Sequence, residues 1–408
     1  MTIAENAAAY LGYPATKQDF AAVRAPIESA RTLPPSAYTS NEAFLVERSR
    51  IFHKGWRAVA FSDQIPNVGD AVPIDYVGAP LLAVRQSDHN IRVFHNLVAY
   101  DGCPVLLDPV EAAGELRSAY HGFVYGLDGK LQRAPFWNGD PEATASAIEN
   151  ENRDLIELPC REWGRMIFVD FSGSGEQAFN DMIEPLQREF GDIKFDSLAP
   201  GRENDGTLTR SDIIAGGNWK THHENACINV YHEASVHEIY RVSAAIPRLE
   251  NGKRTYREVC DKGLRGLAYT DAAAGDTYMT LPFPPLGRSN TTHEGNAIVS
   301  LYPNVYVSVI GPHVHLTLAA PVDAENTQIQ SISLYDASVA ASPDTYEIRC
   351  LLEAAWADSA AEDNRIIDAI QRARHSPVAQ AGFFAPFWDH MHHDFLNQLL
   401  DDIEELST

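Results

Sequence analysis

The segment GNWKTHHENACINVYHEASVHE, residues 217–238, places His232 and His237 with four residues between them, and the stretch AEDNRIIDAIQRA, residues 361–373, supplies Asp363 far downstream. Two imidazoles and one carboxylate leave open positions on a non-haem Fe(II), which is what binding dioxygen and a substrate at one ion requires. On an uninterrupted helix the two histidines would point about 140° apart. The helix must therefore break or loosen between them, and Ala234-Ser235-Val236 is the expected place. Ile367 and Ile370 follow Asp363 at i+4 and i+7, so the three are expected on one face, where a carboxylate needs a partner. Glu362 suits an acid in the first turn of a helix.

Other residues near the motif carry two readings each. Glu224 and Asn225 precede the ligands in the same helical stretch and either cap or hydrogen-bond internally, or support the metal site. His223 is placed to orient a ligand imidazole through that ring's second N–H, while one of the pair His222-His223 is expected at the surface. Asn229 lies three residues before His232, on the same helical face. Cys227 reads as buried packing beside the site. His313 and His315 alternate along one strand face and suit a pocket lining better than a metal, and His392 and His393 read as helix-surface or interface residues.

The elements that must position these groups follow from length and pattern. A chain of 408 residues exceeds one usual domain, and 45% hydrophobic with 22% charged residues is an ordinary globular composition, so two cores are expected. A net charge of −24 argues against nucleic acid or an anionic membrane as partner. The five cysteines are scattered with no CxxC pair, which suits reduced thiols and a cytoplasmic location. No apolar run reaches the ~18 residues of a membrane span, and no export signal is expected.

Along the chain, TSNEAFLVERSRIF follows Pro34-Pro35 as a capped helix with Phe44, Leu45, Ile51 and Phe52 facing inward. From Trp56 to about Phe168, short apolar runs (WRAVAF, AVPIDYV, PLLAVRQ, IRVFHNLV) separated by Gly, Pro, Asp and Asn predict antiparallel strands. MIEPLQREF predicts a helical connector. AIVSLYPNVYVSVI and HVHLTLAAPV predict a second sheet, and the last ~70 residues return to helices.

FHKGWRAVAF, HNLVAYDGCP, SAYHGFVYGLDGKL, NWKTHHENACINVYHEASVHE, YPNVYVSV and AEDNRIIDAIQ occur in that order between Tyr38 and Leu399. In these motifs the chain resembles the catalytic subunit of the Rieske non-haem iron oxygenases, the aromatic ring-hydroxylating dioxygenase alpha subunits. The resemblance implies an α+β fold: a Rieske-like antiparallel β domain over 45–165, a helix-grip catalytic domain over 166–408, and an N-terminal helical segment over 1–44 packing on the catalytic domain. It implies mononuclear Fe(II) at His232, His237 and Asp363, with O2 and a hydrophobic or aromatic small molecule as substrates. It also implies trimers in which one subunit's cluster faces the next subunit's iron.

Two departures from the family pattern alter the expected chemistry. The family holds its [2Fe–2S] cluster with a Cys-x-His and a Cys-x-x-His pair. Here those positions read Val98, Tyr100, Ser118 and His121, so no cluster is expected in this chain, even counting nearby Cys103. Val98 and Tyr100 are expected to pack against Ser118 and His121, with Tyr100 hydrogen-bonded inside the vacated pocket. Asn229 stands where the family has an acid bridging the iron to the neighbouring cluster. The leading expectation is a hydroxylating or oxidatively dealkylating component fed by a cluster-bearing paralogue in a trimer or heterohexamer, with ferredoxin or reductase acting indirectly. The alternatives are a non-catalytic companion subunit and a homomeric iron enzyme independent of any cluster.

Overall fold

The computed structural model describes residues 10–149, 153–227, 231–239, 248–269, 283–284, 286 and 295–405. The chain divides into two compact units, one of Lys54–Phe179 and one that joins Met1–His53 to Asn180–Thr408.

The 54–179 unit is built of short antiparallel strands, as the alternating runs predict. β1 (Trp56–Phe61), β2 (Ala71–Tyr76), β3 (Ala79–Arg85) and β4 (Ile91–His95) occupy the four sequence runs. β5 (Leu116–Arg117), β6 (Val124–Tyr125) and β7 (Leu131–Arg133) follow, then β8 (Glu157–Leu158), β9 (Cys160–Trp163) and β10 (Met166–Asp170). They pair as β1-β10-β9, β2-β3-β4-β8 and β5-β6-β7. Leu82, Val84, Phe94, Val98, Leu116, Phe123 and Tyr125 share one buried core.

The second unit centres on an antiparallel sheet. Its strands are β11 (Leu198–Pro200), β12 (Ser211–Gly216), β15 (Arg257–Asp261), β16 (Leu264–Tyr269), β17 (Asn296–Leu301), β18 (Val305–Ile310), β19 (His313–Pro321) and β20 (Asn326–Asp336), with a small hairpin of β13 (Leu249–Glu250) and β14 (Lys253–Arg254) beside it. The order is β11-β20-β19-β18-β17-β16-β15, and β12 also pairs with β20. Helix Trp219–Ala226 packs on β17, β19, β20 and the 28-residue helix Tyr346–Ala373. Helix Lys17–Val23 packs on the C-terminal helix His390–Glu404.

The units break at 53/54 and 179/180 rather than at 44/45 and 165/166. Phe52 is fully buried with its ring 4.9 Å from Trp219, which ties the end of the N-terminal helical segment to the 180–408 core. At the other boundary β10 pairs with both β1 and β9, so residues 166–170 complete the sheet of the 54–179 unit. Among the described residues no helix is long and apolar enough to cross a membrane.

Candidate metal centre

Helix Trp219–Ala226 is fixed before it reaches the ligands. The Asn218 side chain caps it by accepting the Lys220 N–H at 2.9 Å. Glu47, itself fully buried, accepts from Lys220 Nζ at 2.6 Å, Trp219 Nε1 at 2.7 Å and Tyr13 Oη at 2.5 Å. Burial pushes the Lys220 ammonium below its ordinary pKa, and the adjacent Glu47 carboxylate offsets part of that. One turn on, Glu224 accepts from Tyr38 Oη at 2.5 Å and lies 3.4 Å from His392 Nε2 and 3.6 Å from Arg374. Burial acts to raise the Glu224 carboxyl, but His392, Arg374 and Tyr38 outweigh it and hold the group below its ordinary value. His392 is thus an interior partner rather than a surface residue, and His393 Nε2 meets the Val23 carbonyl at 2.7 Å.

His232 and His237 flank a single short helix, Glu233–Val236, as its N-cap and C-cap residues. The chain therefore breaks on either side of Ala234-Ser235-Val236, and those three residues stay helical. The break is what lets both rings face one point: their centroids are 5.7 Å apart, and donor atoms of His232, His237 and Asp363 all lie within 4.8 Å of one another.

Asp363 projects from the middle of helix Tyr346–Ala373. Ile367 is buried as expected but Ile370 is 40% exposed, so the apolar face is narrower than the i+4, i+7 pattern implied. Glu362 is likewise mid-helix rather than in a first turn. Its Oε2 meets His237 Nδ1 at 2.9 Å. A ring that donates from Nδ1 to a carboxylate turns the lone pair of Nε2 outward when neutral. That Nε2 faces Asp363 Oδ1 at 3.3 Å, and Oδ1 is buried with no hydrogen-bond partner. A lone pair opposite an unsatisfied carboxylate oxygen is a donor set for a divalent cation. The residues present fit Fe(II).

Burial raises the Asp363 carboxyl, against the opposing pull of His237 and an Asn225 hydrogen bond. Burial acts to lower His237, but Asp363, Glu233 and Glu362 outweigh it and raise the imidazole. Burial pushes Glu233 up to about 7.

Of the residues singled out beside the ligands, Asn225 joins the site by bonding the Asp363 carboxylate. His223 does not orient a ligand. It is fully buried, with Nδ1 3.2 Å from Tyr306 Oη and its ring 4.4 Å from Phe395, and burial holds it neutral. Glu362 performs the orienting role, and the signal for it was an acid directly preceding the ligand acid. His222 is buried as well, so neither member of the pair is at the surface. Asn229 lies outside the described residues, as does most of the aromatic and apolar segment YTDAAAGDTYMTLPFPPLG, residues 269–287, which by sequence suits a hydrophobic substrate, a lid or an interface. His313 and His315 share one face of β19 and meet Trp356: its Nε1–H donates to His313 Nε2 at 3.1 Å, and its ring stacks on His315 at 4.3 Å. Cys227 is buried, and burial pushes its thiol up.

In the 54–179 unit, Val98 is 2% exposed within the core and Ser118 is buried. His121 Nδ1 pairs with Asp101 Oδ2 at 2.6 Å. Tyr100 does not enter a pocket. It is 56% exposed, its ring edge-on to His121 at 5.2 Å and stacked with Phe123 at 5.8 Å. At the surface the phenol hydroxyl is solvated while the ring keeps aromatic contacts.

An antiparallel sheet with helices that bring donor atoms of two histidines and a carboxylate within 4.8 Å of one another is the arrangement to compare with known proteins. Residues 203–405 match the family "Ring hydroxylating alpha subunit (catalytic domain)", and residues 55–143 match the "Rieske [2Fe-2S] domain". With both component domains matched, the chain belongs to the Rieske-type oxygenase alpha subunits. It is similar to the chloroplastic choline monooxygenase of Spinacia oleracea, 27% identical over 220 residues, 53% of this chain and 47% of that protein. The chain thus matches about half the length of such relatives. A quaternary ammonium Rieske monooxygenase, whose structure is described in terms of carnitine oxidation and inter-subunit electron transfer, superposes with TM-score 0.73 at 19% identity, covering 92% of this chain and 96% of that one. Naphthalene 1,2-dioxygenase from Rhodococcus sp. gives 0.71 at 16% identity, covering 96% and 98%.

Proposed function

We propose that the chain is the iron-bearing component of an oxygenase that hydroxylates or oxidatively dealkylates a small organic molecule with O2, receiving its electrons from a cluster-bearing partner subunit. The observation that carries this reading is the unsatisfied Asp363 Oδ1 facing Nε2 of an imidazole whose Nδ1 is held by Glu362. Fe(II) held by His232, His237 and Asp363 would supply dioxygen activation next to the substrate. The chain's own residues fix the donors: Glu362 keeps the His237 proton on Nδ1, Asn225 holds the Asp363 carboxylate, and the Glu47 and Glu224 networks anchor the helix that carries Asn225.

The need for a partner rests on chemistry. Oxygenation of this kind consumes two external electrons, and a Rieske centre takes two thiolates and two imidazoles. Val98 has no donor atom, Ser118 is no thiolate, and Tyr100 points to solvent. Tyr100, Tyr120, Phe136 and Trp137 are instead exposed aromatics of the 54–179 unit, suited to docking another subunit in a trimer or heterohexamer.

For the substrate, the buried aromatic face of His313, His315 and Trp356 supports a hydrophobic or aromatic molecule. The similarity to choline monooxygenase favours a second class, a small quaternary ammonium compound.

The test is reconstitution. The chain alone with NAD(P)H and reductase should give no product, and adding a cluster-bearing partner should give turnover that His232→Ala in this chain abolishes. An active complex containing His232→Ala would make the chain a companion subunit. Turnover by the chain alone without an electron donor would make it a homomeric enzyme. Asn229→Asp should raise activity only with the partner present.

A further inference from the structure

Glu233 is an acid of this centre that neither the ligand set nor its hydrogen-bonded support uses. It follows His232 directly and precedes His237 by four. The His237 N–H bonds the Glu233 carbonyl at 3.0 Å across the intervening turn, which sets the two side chains on one face.

Its Oε1 lies 3.9 Å from His232 Nε2, and the side chain is only 16% exposed. Among the described residues no lysine or arginine pairs with it. Glu233 and Asp363 are therefore two largely buried carboxylates beside two imidazoles, with no lysine or arginine of the described residues paired to either. Such an arrangement is costly unless a positive charge sits among the four.

Geometry separates the roles of the two acids. Donors bound to one ion at about 2.1 Å stand at most about 4.2 Å apart, which the 3.3 Å between His237 Nε2 and Asp363 Oδ1 satisfies. Glu233 falls outside the set of three whose donor atoms lie mutually within 4.8 Å. It stands beside the ligand set rather than within it, which suits a carboxylate that reaches the ion through a single water.

We propose that Glu233 is the second carboxylate of the metal centre, accepting a hydrogen bond from a water on the ion's open side and balancing the charge that Asp363 leaves on a divalent cation. The proposal rests on the metal reading above. With Asp363, Glu233 matches the charge of a divalent ion, and Glu362 on His237 adds further negative charge, so the centre favours a divalent ion carrying water over one carrying an anion.

The experiment is Mn(II) titration of the metal-free full-length protein, followed by electron paramagnetic resonance and thermal melting, on wild type, Glu233→Gln, Glu233→Asp and Asp363→Ala. Glu233→Gln should bind Mn(II) about ten- to hundredfold more weakly, Glu233→Asp should fall between it and wild type, and Asp363→Ala should bind none. Metal-free Glu233→Gln should melt at or above wild type, because it removes a like charge beside Asp363. In the Co(II)-loaded protein the same variant should bind azide more tightly. Equal Mn(II) affinity of wild type and Glu233→Gln overturns the proposal and leaves the metal site standing. A metal-free Glu233→Gln that melts well below wild type makes the residue structural and also overturns it. Failure of wild type itself to bind Mn(II) overturns the metal reading and this proposal together.

Discussion

Glu362 holds His237 by Nδ1 at 2.9 Å, and the next residue of the same helix, Asp363, presents Oδ1 to Nε2 of that ring at 3.3 Å. One helix thus supplies both the carboxylate of the candidate site and the group that orients its His237 ring, so the two are positioned together. Glu362→Ala should leave the three donors in place but free the ring to rotate and change tautomer. Its metal affinity should drop about ten- to hundredfold, while Asp363→Ala should retain no metal after dialysis. Metal content per chain measures both.

His313 and His315 make stability depend on pH in the acidic range. Burial pushes their imidazoles down to about 4 and about 3, from an ordinary value of 6.5. The unfolded chain then binds protons that the folded chain refuses, so stability is full above pH 6.5 and is lost as pH falls toward the folded values. Each histidine contributes a slope of about 1.4 kcal/mol per pH unit there. Chemical denaturation at a series of pH values should show that loss, and His315→Gln should reduce it. A flat profile from pH 6.5 to 4.5 would contradict the burial of these rings.

The Glu47–Lys220 pair anchors the helix behind the site with both side chains fully buried. Glu47→Ala leaves the Lys220 ammonium and the Trp219 N–H without their partner and should cost about 3–5 kcal/mol. Replacing both members by apolar residues, Glu47→Leu with Lys220→Met, should recover the part due to the unpaired charge, while the Trp219 N–H and the Tyr13 hydroxyl keep their share of the loss. Urea unfolding of the three variants checks the comparison.

His121 offers the opposite case. Its Nδ1 contact with Asp101 joins side chains 38% and 19% exposed, so His121→Ala should change stability little. It should leave metal content unchanged.

The strands were readable because WRAVAF, PLLAVRQ and HVHLTLAAPV each carry an uninterrupted apolar pattern between turn residues, and each became a strand. The grouping of His232, His237 and Asp363 was readable because a two-histidine, one-carboxylate donor set is chemically specific, and the structure brings their donor atoms within 4.8 Å of one another. Glu362 was not, because the helix carrying it begins at Tyr346, behind Pro343, and no cap near 361 betrays that the acid is mid-helix. Glu233 was hidden for a similar reason. Its neighbourhood to both histidines depends on one isolated helical turn whose two breaks leave no Gly or Pro in the sequence. His223 misled because an imidazole beside a metal motif suits an orienting role, and only tertiary packing against Tyr306 and Phe395 assigns it elsewhere. The unit boundary at 179 escaped because β10 pairs with β1, more than a hundred residues earlier, and a run such as MIFVD looks the same in either sheet.

The most direct test of the account is iron and acid-labile sulfide analysis of the freshly purified chain, wild type beside Asp363→Ala. The account predicts one iron per chain with no acid-labile sulfide and no Rieske-type visible bands, and loss of that iron in the variant. Three irons with two sulfides, or iron that survives Asp363→Ala unchanged, would contradict it.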